Sequence, residues 1–155
     1  MSWRGYPVFG IFLFLLAALL LAPILLAINL SLWPEAKAFG FAFVFTCVAA
    51  LLLTLAYMGR VSPAEARAEF LTLAGVLVLG PAVAALPIYF ALPQVSFEAA
   101  YFEMVSAFTT TGASIFDRPG ELSAPLNLWR VVCGWLGGLI ALIMAFALLA
   151  PRNLG

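Results

Sequence analysis

The chain has 155 residues, of which 66% are hydrophobic and only 9% are charged, and its mean hydropathy is +1.16. A water-soluble fold cannot bury so much apolar surface, so the composition excludes ordinary soluble domains and predicts an all-α integral membrane protein. The net charge is zero and there is no histidine, which argues against nucleic-acid binding and removes the commonest metal ligand and general base.

Four apolar runs predict about four transmembrane helices, because each approaches or exceeds the roughly 20 residues needed to cross a bilayer. The runs cover residues 8–32, 38–58, 70–92 and 128–149. A polar segment at residues 33–37 predicts a tight turn, so residues 1–61 are expected to form an amino-terminal hairpin. A Ser-Pro-Ala-Glu sequence at residues 62–65 predicts a capping box, which opens a second unit over residues 62–155.

The segment at residues 93–126 is too polar to cross the membrane and too apolar for an ordinary loop. Ser96 predicts the N-cap of a short helix that runs to about Phe108, with Glu98 in its first turn, where the helix dipole favours negative charge. The segment is therefore predicted to be re-entrant, as a short pore helix followed by a filter-like loop.

The loop after this short helix is the candidate ion site. Its candidate ligands are three threonines, a glycine and an alanine in succession: Thr109, Thr110, Thr111, Gly112 and Ala113. If the loop returns as extended backbone, its carbonyl and hydroxyl oxygens can replace the water around a potassium ion, and Gly112 can adopt the dihedral angles that orient them. The alternative is an irregular connection buried against protein, which the composition favours equally.

Two charged residues and three glycines are candidate supports for this loop. Glu103 lies within the predicted pore helix, where a carboxylate needs a partner, and Arg130 at the start of the last helix can supply one. Glu103 facing an aqueous vestibule is the open alternative. Gly134, Gly137 and Gly138 give the last helix a face of small residues that allows close helix packing.

The sequence at residues 101–114 resembles the first pore helix and filter of the bacterial Trk/Ktr potassium transporter superfamily, and residues 129–138 resemble the opening of its next helix. The two leading helices resemble the amino-terminal pair of that family. The resemblance implies a filter at residues 110–113, with Glu103 and Arg130 as support. It departs from the family at Ala107, where glycine is frequent, and at residues 139–140, where a Met-Gly step is expected. Pores of this family resemble four fused repeats, and this sequence contains the first repeat alone.

The resemblance leaves two functions open. One is a truncated transporter repeat that takes part in potassium transport only when it assembles with further repeats. The other is a non-conducting accessory or structural subunit of a larger membrane complex, for example a respiratory or photosynthetic one. An enzyme is not expected, because no nucleophile–base pair or metal-ligand cluster occurs.

The expected partners are membrane lipids and other transmembrane subunits, which would be the missing repeats, copies of this chain or a larger complex. No cofactor is expected beyond a possible potassium ion and bound lipids. The expected location is the bacterial inner membrane with both termini in the cytoplasm, because more arginines flank that side. The residues on that side are Arg4, Arg60, Arg67 and Arg152, against Lys37, Arg118 and Arg130.

Overall fold

The structure is a computed structural model, and it describes residues 8–57 and 66–149. Over these residues the secondary structure is helical. The α-helices are α1 (Val8–Asn29), α2 (Trp33–Tyr57), α3 (Ala66–Ala84), α4 (Leu86–Ala91), α5 (Phe97–Phe108) and α6 (Ala124–Leu149), and a 3₁₀ turn covers Pro119–Glu121. The predicted capping box at residues 62–65 lies outside the described residues.

Three of the described helices, α1, α2 and α6, are long and apolar enough to cross a membrane. The fourth predicted crossing, residues 70–92, is a helix interrupted between α3 and α4, with a shorter apolar part at Gly75–Ala91. The interruption has a local cause, because Pro87 has no amide hydrogen to donate one turn back and its ring crowds the preceding turn. The all-α membrane fold is confirmed, and the segment predicted as the fourth crossing is divided into α3 and α4.

The hairpin between α1 and α2 is tighter than the sequence predicted. Ser31 takes a left-handed conformation with φ of 56°. The amide of Leu32 donates to the Ala27 carbonyl at 2.8 Å, and the amide of Ser31 donates to the Ile28 carbonyl at 3.0 Å. This pair of bonds is a Schellman motif. The prediction of a turn at residues 33–37 was wrong, because proline is favoured in the first turn of a helix and α2 therefore begins at Trp33.

The largest fully buried side chain of the core is that of Trp129 in α6. Its indole nitrogen donates to the Ala84 carbonyl at 2.8 Å, at the interruption between α3 and α4. Its ring packs edge-on against Phe39 of α2, with the two ring centroids 6.2 Å apart. All six α-helices contribute to this core.

The division into units at residues 1–61 and 62–155 stays a prediction.

Candidate ion site

The short helix α5 carries the site and is held in place at its beginning. The Ser96 side chain accepts a hydrogen bond from the Ala99 amide at 3.3 Å, which is the predicted N-cap. The backbone amide of Glu98 and the Ser96 hydroxyl hold the pKa of the Glu98 carboxyl below its usual value. The Tyr101 hydroxyl donates to the Val78 carbonyl of α3 at 3.1 Å. With 12 residues, α5 is only about 18 Å long, too short to cross a bilayer.

The end of α5 is a second Schellman motif, formed by the three consecutive threonines. The amide of Thr110 donates to the Ala107 carbonyl and the amide of Thr111 donates to the Ser106 carbonyl, both at 3.0 Å. Thr110 takes a left-handed conformation with φ of 55°, which is unusual for a β-branched residue. The loop therefore begins with a turn, so the extended backbone on which the predicted ion site depends does not start directly after Phe108.

The hydroxyl groups of the loop are partly engaged with each other and with α5. The Thr109 hydroxyl donates to the Val105 carbonyl at 2.8 Å, and its oxygen lies 2.7 Å from that of the Thr111 hydroxyl. Gly112 has φ of 78°. A Cβ atom at Gly112 would meet nothing within 4 Å, so the requirement for glycine is one of backbone conformation and not of space.

The carbonyl groups of the loop divide into two sets. The Ala113 carbonyl accepts a hydrogen bond from the Ser106 hydroxyl at 2.6 Å. The carbonyls of residues 109–112 accept no hydrogen bond from any described residue, and residues 109–113 are all exposed. The loop thus presents four consecutive free backbone acceptors, with a fifth turned back onto α5.

Glu103 and Arg130 are in contact, and their contact is the largest polar network in the described part of the chain. The Glu103 side chain is only 1% exposed. Its Oε1 accepts from Arg130 Nε at 2.6 Å and also contacts Nη2 of the same guanidinium. Its Oε2 accepts from the Ile115 amide at 2.9 Å, and the Ser114 hydroxyl donates to the carboxylate at 3.1 Å. A buried carboxylate with this many donors carries its charge without an unpaired oxygen.

The network continues from Arg130 to the beginning of α6. Nη1 of Arg130 donates to the Asn127 side-chain oxygen at 3.2 Å, and the Asn127 side-chain nitrogen donates to the Leu122 carbonyl at 3.1 Å. The Ser114 oxygen accepts from the Phe116 amide at 3.1 Å. The segment directly after the loop is therefore fixed to both α5 and α6.

The three glycines of α6 face the end of α5, at unequal distances. A Cβ at Gly137 would lie 2.0 Å from the Phe108 carbonyl oxygen and 2.5 Å from the Phe108 Cα. A Cβ at Gly134 would lie 3.5 Å from the Ala107 carbonyl oxygen, and one at Gly138 would lie 3.6 Å from a Thr110 methyl group. Gly137 alone is required by close backbone approach, and it brings α6 against the last residue of α5.

A cleft of about 280 Å³ brings most of the predicted site residues together. It is lined by Glu103, Ser106, Ala107, Thr110, Gly112, Ala113, Arg130, Val131 and Gly134. Sequence reasoning missed Ser106 and Ser114 as members of the site. Ser106 follows Glu103 by three residues on the same helix face, so its position beside the carboxylate could have been found from the helical repeat.

The short helix α5 and its loop of free carbonyls lie beside helices that are long and apolar enough to cross a membrane, as expected for an all-α integral membrane protein. Proteins similar to this chain are transport proteins by name. The chain is 34% identical over 143 residues to the Trk system potassium uptake protein TrkI of Halomonas elongata, covering 92% of this chain and 29% of that protein. It is 35% identical over 63 residues to the potassium uptake protein TrkH of Vibrio parahaemolyticus, covering 41% of this chain and 13% of that protein.

A third relative, an uncharacterized cation transporter of Methanocaldococcus jannaschii, is 31% identical over 68 residues, covering 44% of this chain and 14% of that protein. No family model and no solved structure matches the chain. The chain is a relative of the Trk potassium uptake proteins, and the predicted resemblance to the Trk/Ktr superfamily is confirmed. It spans less than a third of the length of each relative. The relatives are named as transport proteins, in agreement with the expected non-enzymatic class.

Proposed function

We propose that this chain contributes one filter segment, residues 109–112 of the predicted 109–113, to a potassium path that further filter segments complete. The observation that carries the proposal is that residues 109–112 are exposed and that their four backbone carbonyls accept no hydrogen bond from the described residues. Backbone carbonyls at membrane depth cannot face lipid, because an unsatisfied carbonyl in hydrocarbon costs several kcal/mol. They must face water, protein or a cation.

Of these three possible neighbours, the charge around the loop favours a cation. The ionised groups that line the cleft, Glu103 and Arg130, are paired with each other, so together they add little net charge. The carbonyl dipoles and the carboxyl-terminal end of α5 then leave a negative potential at the loop. We assign potassium as this cation because the Halomonas and Vibrio relatives are potassium uptake proteins by name.

One segment covers only one side of an ion, so further segments must supply the remaining ligands. The competing function is a non-conducting structural subunit, in which the same loop is buried against a partner protein. The two functions differ in what Gly112 does: a structural turn tolerates moderate distortion of its carbonyls, whereas an ion site does not.

A chimera with the Halomonas protein distinguishes the transport function from the structural function. The matched 143 residues of the Halomonas protein are replaced by those of this chain, and potassium uptake is measured in cells that lack their own uptake systems. We expect the chimera to restore uptake. Gly112→Ser should then lower uptake by about five- to thirtyfold, since a left-handed conformation costs a residue with a Cβ about 1–2 kcal/mol and displaces the adjacent carbonyls.

The matched control is Gly120→Ser in the same chimera. Gly120 lies in the 3₁₀ turn, and a Cβ there also meets nothing within 4 Å, so uptake should be unchanged. A chimera that transports equally well with either serine would contradict the proposal and favour the structural function.

We further propose the bacterial inner membrane as the location, with both termini in the cytoplasm. The arginine bias of the sequence supports this orientation. A cysteine introduced at position 120 should react with an impermeant thiol reagent in intact cells, and one at position 64 should be protected. The reverse labelling pattern would overturn the orientation.

A further inference from the structure

Ser106 contacts the loop on both sides of Gly112. Its backbone carbonyl accepts from the Thr111 amide at 3.0 Å, and its hydroxyl donates to the Ala113 carbonyl at 2.6 Å. Ser106 is 5% exposed, and a Cβ at Gly112, which lies between these contacts, would meet nothing within 4 Å. The path of the backbone through Gly112 is thus set from one residue of α5.

The hydrogen bond from the Ser106 hydroxyl to the Ala113 carbonyl determines which loop carbonyls are free to bind an ion. The Ala113 oxygen is bonded to Ser106 and points back to α5, whereas the oxygens of residues 109–112 accept nothing from the described residues. Without the Ser106 hydroxyl, the Ala113 peptide would lose its partner and could rotate toward the cleft that it lines. A carbonyl that loses its hydrogen-bond donor gains from a new partner, so rotation toward a cation or water is the expected response.

We infer that Ser106 is a positioning residue that limits the ion ligands of this segment to the carbonyls of residues 109–112 and excludes that of Ala113. The inference rests on the proposed function. Selectivity between cations depends on the number and rigidity of the coordinating carbonyls. Removing the hydroxyl adds a mobile ligand, so discrimination between potassium and sodium falls while the amount of protein in the membrane does not.

The test uses Ser106→Ala, Ser106→Thr and the control Thr46→Val in the chimera. Thr46 is a buried hydroxyl of α2 that donates to its own helix at 2.7 Å, away from the site. We expect Ser106→Ala to lower the ratio of potassium to sodium uptake roughly two- to tenfold, the range that corresponds to one hydrogen bond. Ser106→Thr, which keeps the hydroxyl, should retain the ratio, and Thr46→Val should not change it.

A spectroscopic readout on the chain itself is independent of transport. Residues 113–114 are the only Ala-Ser pair in the sequence, so isotope labels on alanine carbonyl carbons and serine nitrogens select the Ala113 carbonyl alone in solid-state NMR. Loss of the hydrogen bond in Ser106→Ala should shift that resonance upfield, and Ser106→Thr should leave it in place.

The outcomes distinguish this inference from the proposed function. If Gly112→Ser lowers uptake but Ser106→Ala changes neither the uptake ratio nor the Ala113 resonance, the role of Ser106 is refuted and the filter assignment survives. A shifted resonance with an unchanged ratio also refutes the role in selectivity. If Gly112→Ser has no effect on uptake, the proposed function itself fails, and the inference fails with it.

Discussion

Gly137→Ala is expected to destabilise the fold by at least about 2 kcal/mol. The new Cβ would lie 2.0 Å from the Phe108 carbonyl oxygen, and the atom it meets belongs to backbone at the end of α5, which cannot rotate away. Overpacking of this kind typically costs about 1–3 kcal/mol even where side chains can move. The alternative is a displacement of α5, which would move the loop that begins one residue later. The measurement is the free energy of unfolding in lipid bicelles.

Gly40→Ala is the matched control, because Gly40 also lies within a membrane-spanning helix but a Cβ there meets nothing within 4 Å. We expect Gly40→Ala to be neutral or to stabilise by up to about 1 kcal/mol, through the better helix propensity of alanine. Equal effects of the two substitutions would show that α6 does not approach α5 as closely as the structure indicates.

Glu103→Ala and Arg130→Ala are each expected to cost about 3 kcal/mol or more. Each leaves the other member of a buried ion pair without its partner, and Glu103 is 1% exposed while Arg130 is 20% exposed. The double variant should cost clearly less than the sum of the two, because it removes both charges together. A double-mutant cycle measured by unfolding in bicelles gives the coupling energy directly.

The exposed pair Arg118 and Glu121 provides the control cycle. Its atoms are 3.0 Å apart, but the two side chains are 77% and 69% exposed, so solvent screens the attraction and each alanine variant should change stability by less than about 1 kcal/mol. Additive losses at Glu103 and Arg130, like those expected for the control pair, would refute a coupled buried ion pair.

Local signals in the sequence were sufficient to predict α5 and one of its supporting contacts, the pair of Glu103 and Arg130. Ser96 and Glu98 predict the helix beginning because capping acts within a few residues. The partner of Glu103 could be predicted because a buried carboxylate needs a cation, and Arg130 is the basic residue at the start of the next helix. The start of α2 was missed because the polar character of residues 33–37 suggested a loop, although Pro34 is also compatible with a first helical turn.

The geometry of the loop itself could not be predicted, because it depends on contacts between residues that no local pattern connects. Nothing in three consecutive threonines indicates that Thr110 is left-handed. That conformation follows from the Schellman motif with Ala107 and Ser106. The engagement of the Ala113 carbonyl depends in the same way on where the Ser106 hydroxyl lies in the fold. The small-residue pattern of α6 could not show that Gly137 is the glycine in closest contact with α5, because this depends on the position of the Phe108 backbone.

The central claim is that the loop supplies potassium ligands as one of several filter segments. It is tested most directly by potassium flux into liposomes that contain either the isolated chain or the Halomonas chimera, each with and without Gly112→Ser. We expect flux from the chimera that Gly112→Ser lowers, and no flux above empty liposomes from the isolated chain, whose sequence provides a single filter segment. Flux from the isolated chain that depends on Gly112 would contradict the requirement for further segments and indicate a self-assembled pore. A chimera that transports potassium regardless of the residue at position 112 would contradict the claim that this loop binds the ion.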